Sequence, residues 1–266
     1  MFKAAFFDID GTLVSFKTHT VPDSTRRAID KLKSHGIKCF ISSGRHLLSI
    51  DNLGDLQFDG YVTVNGGINY YDGKTIDTNP IAKADVKRAL DIIYAKEEDR
   101  QANDVAPFPV CFVLLNGLKM NYYTATTEVM FKQLNFQRPE LVDLRELAGE
   151  DIFQMISFFG TDEEPRMMTN FPHCESERWS PLFTDLVPKG QSKVRGIKKL
   201  CEIIGASPSE VMAFGDGGND KDMLRFAGTG IAMGNAVDEV KACADIVCPS
   251  VDDNGIEWAV DKLLAL

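Results

Sequence analysis

Ala4-Ala5-Phe6-Phe7-Asp8-Ile9-Asp10-Gly11-Thr12-Leu13-Val14 begins with a short apolar run and ends it on two carboxylates. Four small or aromatic residues with no polar alternation read as a strand buried on both faces. Gly11 then lets the chain turn away. In an open parallel sheet, ligands bind beyond the carboxyl ends of the strands, where Asp8 and Asp10 fall. Two carboxylates at one strand tip repel each other unless a positive group joins them. A hard divalent cation such as Mg²⁺ supplies that charge, takes oxygen ligands and leaves room for a phosphate. The spacing is not that of a calcium-binding EF-hand loop, which wants Gly at its sixth position and Glu at its twelfth.

Outward from this strand, Pro22-Asp23-Ser24 opens a helix to about Ser34, with Ala28, Ile29 and Leu32 on one face and Gly36 closing it. Ile37–Ile41 is a second strand. It delivers Ser42-Ser43-Gly44-Arg45 to its tip before a further helical stretch, and a hydroxyl with exposed N–H groups at a helix start forms a phosphate cradle. Tyr61–Val64 is a third strand, running into the turn Asn65-Gly66-Gly67, and a hairpin follows around Asp72-Gly73. This alternation describes βαβ units on a parallel sheet.

The pattern changes over residues 82–186. A helix at Lys83–Lys96 precedes Val110–Leu115 and Lys119–Tyr123, which flank the hairpin signal Asn116-Gly117. Helices at Glu128–Leu134 and Glu163–Asn170 surround an apolar strand, Phe153–Phe159. Cys174–Trp179 and Leu182–Leu186 form a second antiparallel pair. Hairpins mixed with helices indicate an α+β domain inserted into an α/β core formed by residues 1–81 and 187–266. The α/β pattern resumes with a helix at Gln191–Ile204 and a buried strand at Val211–Phe214. That strand ends in Gly215-Asp216-Gly217-Gly218-Asn219-Asp220 and a helix to Ala227. Strands at Gly230–Met233 and Asp245–Val247, with helices at Val237–Ala244 and Ile256–Leu264, complete the chain.

Composition narrows the class. With 266 residues, 44% hydrophobic and 26% charged, the chain is that of an ordinary globular protein able to bury a full core. A net charge of −10 argues against nucleic-acid or anionic-membrane partners, which basic patches hold. No apolar run approaches the ~18 residues of a membrane span. The N-terminus lacks the pattern of a signal peptide. Six scattered cysteines without a C-x-x-C spacing read as reduced thiols, so a cytoplasmic location is expected.

Two strand tips thus carry acids on glycine-rich turns: Asp8 with Asp10, and Asp216 with Asp220. Turn chemistry needs only one acid, and Asp216, Asn219 and Asp220 crowd one strand end, so a Mg²⁺ site is the better reading. Taken in order, F-F-D-I-D-G-T-L, S-S-G-R, a Lys before a helix and G-D-G-G-N-D resemble the four motifs of the haloacid dehalogenase superfamily. The insert resembles the type IIB cap of its Cof-type sugar-phosphatase branch. Asp252-Asp253-Asn254-Gly255-Ile256 resembles that branch's closing D-G-V segment.

The resemblance implies a Rossmann-like core with an inserted cap, and it implies roles. Asp8 matches the nucleophile that forms an aspartyl-phosphate. Asp10 matches the general acid/base. Asp8, the Asp10 backbone carbonyl and Asp216 match the Mg²⁺ ligands, with Asp220 an outer-shell or water-held ligand. Ile9, Ser43, Gly44 and Asn219 match phosphate contacts; Ser43 stands where Thr is commoner. The third-motif lysine, which also serves the phosphate, is Lys189 or Lys193, and Lys193 fits better because a small polar residue precedes it. Arg45 is placed to reach phosphate or leaving group. Arg178 and Trp179 are candidates for gripping a sugar face, with a buried cap tryptophan as the competing reading. The cap is expected to close over the site and select the leaving group. The activity implied is a Mg²⁺-dependent phosphatase for small phosphorylated metabolites, chiefly sugar phosphates. A phosphosugar mutase (phosphomannomutase-like) is the near alternative, and a phospho-aspartate signalling module the distant one.

Overall fold

The computed structural model describes residues 1–96, 98–99, 106–133 and 138–265. The chain divides into two compact units, Met1–Thr78 with Ser192–Leu266, and Asn79–Gln191. The crossings therefore fall after Thr78 and Gln191, where composition alone places them after residues 81 and 186.

The first unit is built on an eight-stranded sheet in the order β14-β13-β12-β1-β2-β3-β4-β5. Strands β1 (Ala4–Phe7), β2 (Lys38–Ser42), β3 (Gly60–Thr63), β12 (Val211–Gly215), β13 (Thr229–Ala232) and β14 (Ile246–Val247) run parallel. The hairpin β4 (Ile68–Tyr71) and β5 (Lys74–Thr78) is added antiparallel at one edge. Successive side chains of β1 face opposite ways, and both faces are apolar. Phe6 stacks on Phe40 and Phe7 on Phe214, each with ring centroids 4.8 Å apart. Helices α1 (Asp23–Ser34) and α8 (Gly255–Leu264) cover the Phe7 face through Ala28, Ile29, Leu32, Ile256 and Val260. Arg27–Glu257 and Lys31–Asp261 pairs tie these two helices at their exposed edges. Helices α5 (Lys193–Ile204), α6 (Lys221–Phe226) and α7 (Asp238–Lys241) cover the Phe6 face through Ile197, Leu200, Met223, Leu224 and Val240. The result is a three-layer α/β core, as the sequence pattern requires.

The second unit carries a six-stranded sheet in the order β10-β11-β9-β6-β7-β8. Its strands are β6 (Val110–Leu114), β7 (Gly117–Met120), β8 (Glu140–Leu141), β9 (Gln154–Ser157), β10 (Cys174–Ser180) and β11 (Phe183–Pro188), antiparallel except for the β7–β8 pair. Helix α2 (Lys83–Ile93) packs Val86, Ala89, Leu90 and Ile93 against Val110, Phe112, Met155 and Leu186. Helices α3 (Ala125–Gln133) and α4 (Glu164–Met168) and a 3₁₀ turn at Leu144–Leu147 also belong to this unit. Leu134, the expected end of α3, lies outside the described residues.

Two local expectations are corrected. No α-helix follows Arg45; a single 3₁₀ turn at Leu47–Ser49 stands there, its start capped by the His46 ring accepting from the Leu48 N–H at 3.2 Å. The β6–β7 turn also sits one residue early. Leu114 pairs with Gly117, so the loop is Leu115-Asn116 and the positive φ of 136° falls on Gly117 inside the strand. All six cysteines are free. Among the described residues, no helix is long and apolar enough to cross a membrane.

Candidate active site

Strand order decides which residues meet. β1 lies between β12 and β2, with Phe7 level with Phe214 on one side and Ile41 on the other. Because the three strands are parallel, their carboxyl ends open at the same edge, and the strand succession runs outward in opposite directions on the two sides of β1, to β2 and β3 on one and from β12 to β13 on the other. Asp8 follows β1 directly, and its N–H extends the ladder to the Phe214 carbonyl at 3.0 Å. Asp216 follows β12 and Ser43 follows β2, so three tips converge.

Lys193, the first residue of α5, is 1% exposed and donates from Nζ to Asp8 Oδ1 and to Asp220 Oδ1, each at 2.6 Å. Of the two candidate lysines, Lys193 is the one that meets these acids; Lys189 is exposed and belongs to the second unit. The other oxygen of Asp220 accepts the backbone N–H groups of Asp216 (2.9 Å) and Gly217 (2.8 Å). Asp220 therefore shapes the Asp216 loop as well as holding the lysine. Asp216 in turn accepts from Thr12 Oγ1 at 2.7 Å and from Asn235 Nδ2 at 3.1 Å. The Gly11 turn comes so close that a Cβ at its φ of +86° would lie 2.1 Å from Asp216 Oδ2, so only glycine fits.

Electrostatics follow from this crowding. Burial pushes the Asp8 carboxyl up to about 8, with Asp220 and Asp216 repelling its charge and Lys193 opposing the rise. Burial likewise raises Asp216 to about 6, against the Thr12 hydrogen bond. For Lys193, burial pulls down, but Asp220 and Asp8 together outweigh it and hold the ammonium above its ordinary range. Among the described residues, carboxylate oxygens of Asp8, Asp216 and Asp220 lie within 4.8 Å of one another. Three acids against one ammonium, all presenting oxygen, form a donor set suited to a hard divalent cation.

The remaining expected residues divide. The Asp10 carboxylate forms a bidentate pair with Arg45, at 2.7 and 2.8 Å. Arg45 also donates to the Ser49 carbonyl at 3.0 Å, so its guanidinium is occupied. Ile9 is fully buried, and its carbonyl accepts the Leu13 and Val14 N–H groups at 3.0 and 2.8 Å. Ser43, 2% exposed, accepts from the Arg45 N–H at 3.2 Å and keeps its own proton to donate. Asn219 is exposed and donates to Asn65 at 3.0 Å. In the second unit, Arg178 pairs with Glu164 and donates to the Phe159 and Phe183 carbonyls at 3.0 and 3.1 Å, bonds that build the unit itself. Trp179 is 58% exposed, so the buried-tryptophan reading does not hold; its indole N–H donates to Asp185 at 2.9 Å. Sequence reasoning passed over Thr12, Asn65 and Asn235. Thr12 lay inside the decisive stretch as a hydroxyl beside two acids, whereas Asn235 carried no local signal.

The buried lysine clasping acids from two strand tips sits where an open parallel sheet binds its ligands, and the family and relatives make this chain a hydrolase acting on phosphate esters. Comparison with known proteins makes the assignment specific: the family profile for haloacid dehalogenase-like hydrolases matches residues 5–260, and the chain belongs to that family. It is 34% identical over 270 residues to "Putative phosphatase YkrA" of Bacillus subtilis strain 168, covering 98% of this chain and 97% of that one. Among solved structures it is similar to the phosphatase BT1666 of Bacteroides thetaiotaomicron, with a TM-score of 0.87, 32% identity and coverage of 100% and 96%. It is also similar to the HAD subclass IIB sugar phosphatase BT4131, with a TM-score of 0.84, 35% identity and coverage of 99% and 100%.

Proposed function

We propose that this phosphatase is Mg²⁺-dependent, hydrolyses sugar phosphates and related small phosphate monoesters, and works through a phosphorylated Asp8. The observation that carries the reading is the Lys193 ammonium held between Asp8 and Asp220 at 2.6 Å each, with Asp216 alongside. The sugar-phosphate class is supported by likeness to a protein named as a sugar phosphatase. Asp8, Asp216 and the Asp10 carbonyl would hold the cation, which, when bound, offsets the repulsion between the carboxylate and an incoming phosphate dianion.

The chain's own residues carry the rest. Lys193 fixes the Asp8 carboxylate so that it meets phosphorus with little freedom to rotate. An Asp8 oxygen bonds to phosphorus as the ester P–O bond breaks, and the leaving alkoxide takes a proton from Asp10. A water oxygen then bonds to phosphorus as the Asp8–P bond breaks, giving its proton to Asp10 and releasing inorganic phosphate. In this structure Arg45 holds both Asp10 oxygens through two charge-assisted hydrogen bonds, so the Asp10 carboxyl has to leave at least one of them to carry and exchange the proton. The Ser43 hydroxyl, the Gly44 N–H and the Asn219 amide donate to phosphate oxygens.

The test is phosphate release from a panel of sugar phosphates, polyol phosphates and nucleotides, wild type beside Asp8→Asn. Wild type is expected to release phosphate with sugar phosphates ranked first, and Asp8→Asn to lose more than about a hundredfold in kcat while remaining folded. Turnover by Asp8→Asn near the wild-type rate removes Asp8 as nucleophile. Turnover only after adding a sugar bisphosphate turns the reading to a mutase.

A further inference from the structure

The turn after β3 is not accounted for by the chemistry above, yet it holds three successive residues in the left-handed region. Val64, Asn65 and Gly66 carry φ of +52°, +50° and +90° in succession. Asparagine and glycine adopt this region readily, but a β-branched residue there is an outlier, and such strain persists only where surroundings impose it. Those surroundings are the loops of the site. The Val64 N–H donates to the Arg45 carbonyl and the Asn65 N–H to the Ser43 carbonyl, both at 3.1 Å. A Cβ on Gly66 would lie 2.3 Å from the backbone oxygen of Ser192, the residue before Lys193. The Asn65 side chain reaches the fourth-motif loop, accepting the Asn219 amide at 3.0 Å, and its oxygen also sits 3.2 Å from where a Gly44 Cβ would be.

We propose that Asn65 is a positioning residue of the phosphate site, aiming the Asn219 amide at phosphate from a turn braced on the Ser43–Arg45 loop and on Ser192. The inference rests on the phosphate-binding roles given above to Asn219, Ser43 and Gly44. A primary amide has two N–H bonds. One from Asn219 goes to Asn65, which fixes the rotamer of an otherwise exposed side chain and leaves the second N–H for a phosphate oxygen. A plain turn residue would hold the backbone and have no coupling to Asn219.

The experiment is a double-mutant cycle of Asn65→Gly and Asn219→Ala, with p-nitrophenyl phosphate as substrate and inorganic phosphate as inhibitor. Glycine tolerates the Asn65 φ, so Asn65→Gly deletes the amide without straining the turn. It is expected to lower kcat/KM about tenfold and weaken phosphate inhibition by a similar factor, the scale of one hydrogen bond, with the melting temperature little changed. In the Asn219→Ala background the same change is expected to have no further effect. Wild-type kinetics in Asn65→Gly, or an undiminished tenfold loss in the Asn219→Ala background, overturns the inference and leaves the phosphatase reading standing. A wild type that cleaves no phosphate ester overturns both. If Asn65→Gly does not fold, the cycle is read with Asn65→Ala on its coupling alone: the strain of alanine at this φ is common to both Asn219 backgrounds and cancels, so an additive cycle overturns the inference.

Discussion

Replacing Lys193 with methionine isolates what the buried ammonium contributes. The side chain is 1% exposed and holds two carboxylates at 2.6 Å each. Methionine keeps the length and apolar bulk of the stem, so the change leaves little cavity. What it leaves is Asp8 and Asp220 buried without their cation. Breaking a buried ion pair by removing one partner costs about 3–5 kcal/mol, mostly from the stranded charge. For a unit of this size that lowers the melting temperature by roughly 10 °C. Adding Asp220→Asn should return about 1–2 kcal/mol. Asparagine keeps an oxygen for the Asp216 and Gly217 N–H groups, now at 2.9 and 2.8 Å, and removes one stranded charge. Thermal and urea unfolding would be followed in EDTA, so that no divalent ion replaces the lysine's charge, and repeated at high salt, which screens a buried site little. Lys193→Met melting within 2 °C of wild type, or Asp220→Asn weakening the variant as much as it weakens the wild type, would refute the argument.

Metal dependence is tested by stripping with EDTA and restoring with Mg²⁺. Turnover is expected to vanish and return, and saturating Mg²⁺ to stabilise the folded protein by about 2.7 kcal/mol at a hundred times its Kd; EDTA-insensitive turnover would defeat the reading. In the second unit, burial lifts the Asp185 carboxyl to about 7 from its ordinary 3.8, hydrogen bonds from Trp179 and Gln154 offsetting part of the rise. The folded state then binds that proton more tightly than the unfolded chain, so this group's contribution falls as pH rises from about 4 to about 7 and is flat above. The span corresponds to roughly 4 kcal/mol. Asp185→Asn, which keeps an oxygen for the Trp179 indole, should flatten that slope; parallel unfolding curves for the two proteins between pH 5 and pH 8 would count against it.

How much of this was legible in the sequence depended on how local the cause was. β1 was readable because a strand buried on both faces must be apolar throughout, and Ala4–Phe7 is. The positions of Asp8 and Asp216 followed from the rule about strand tips, which needs only that their strands be parallel. Lys193 was separable from Lys189 only through the residue before it, and the structure buries Lys193 against Asp8 and Asp220. The stretch after Arg45 misled because Leu47, Leu48 and Ile50 look helical in composition. Asp51-Asn52 and Gly54 follow within a turn or so, too soon to recover the cost of nucleating a helix. Leu48 is accordingly 67% exposed. The Asn116-Gly117 signal named the right hairpin and the wrong loop, since Gly117 spends its conformational freedom inside β7.

The residues that local reasoning could not assign share one property: each acts on a partner far along the chain. Asn235 reaches Asp216 and the Gly11 carbonyl at 2.8 Å, and accepts the Val251 N–H at 3.0 Å, so it links three loops that only the fold brings together. Thr12 donates across 204 residues to Asp216. Arg45 meets Asp10 because β2 lies beside β1, and no spacing within either motif encodes that neighbourhood. The groups that meet phosphate must project from strand tips and so leave marks beside their own strands. The groups that aim them sit wherever a neighbouring loop passes, and their residue types, Asn and Thr, are those that ordinary turns also use. The same reasoning explains why Asn65 reads as a common turn residue in the sequence and as a brace in the structure. Its type is dictated by a left-handed backbone, and its partner by the loop from the far side of β1.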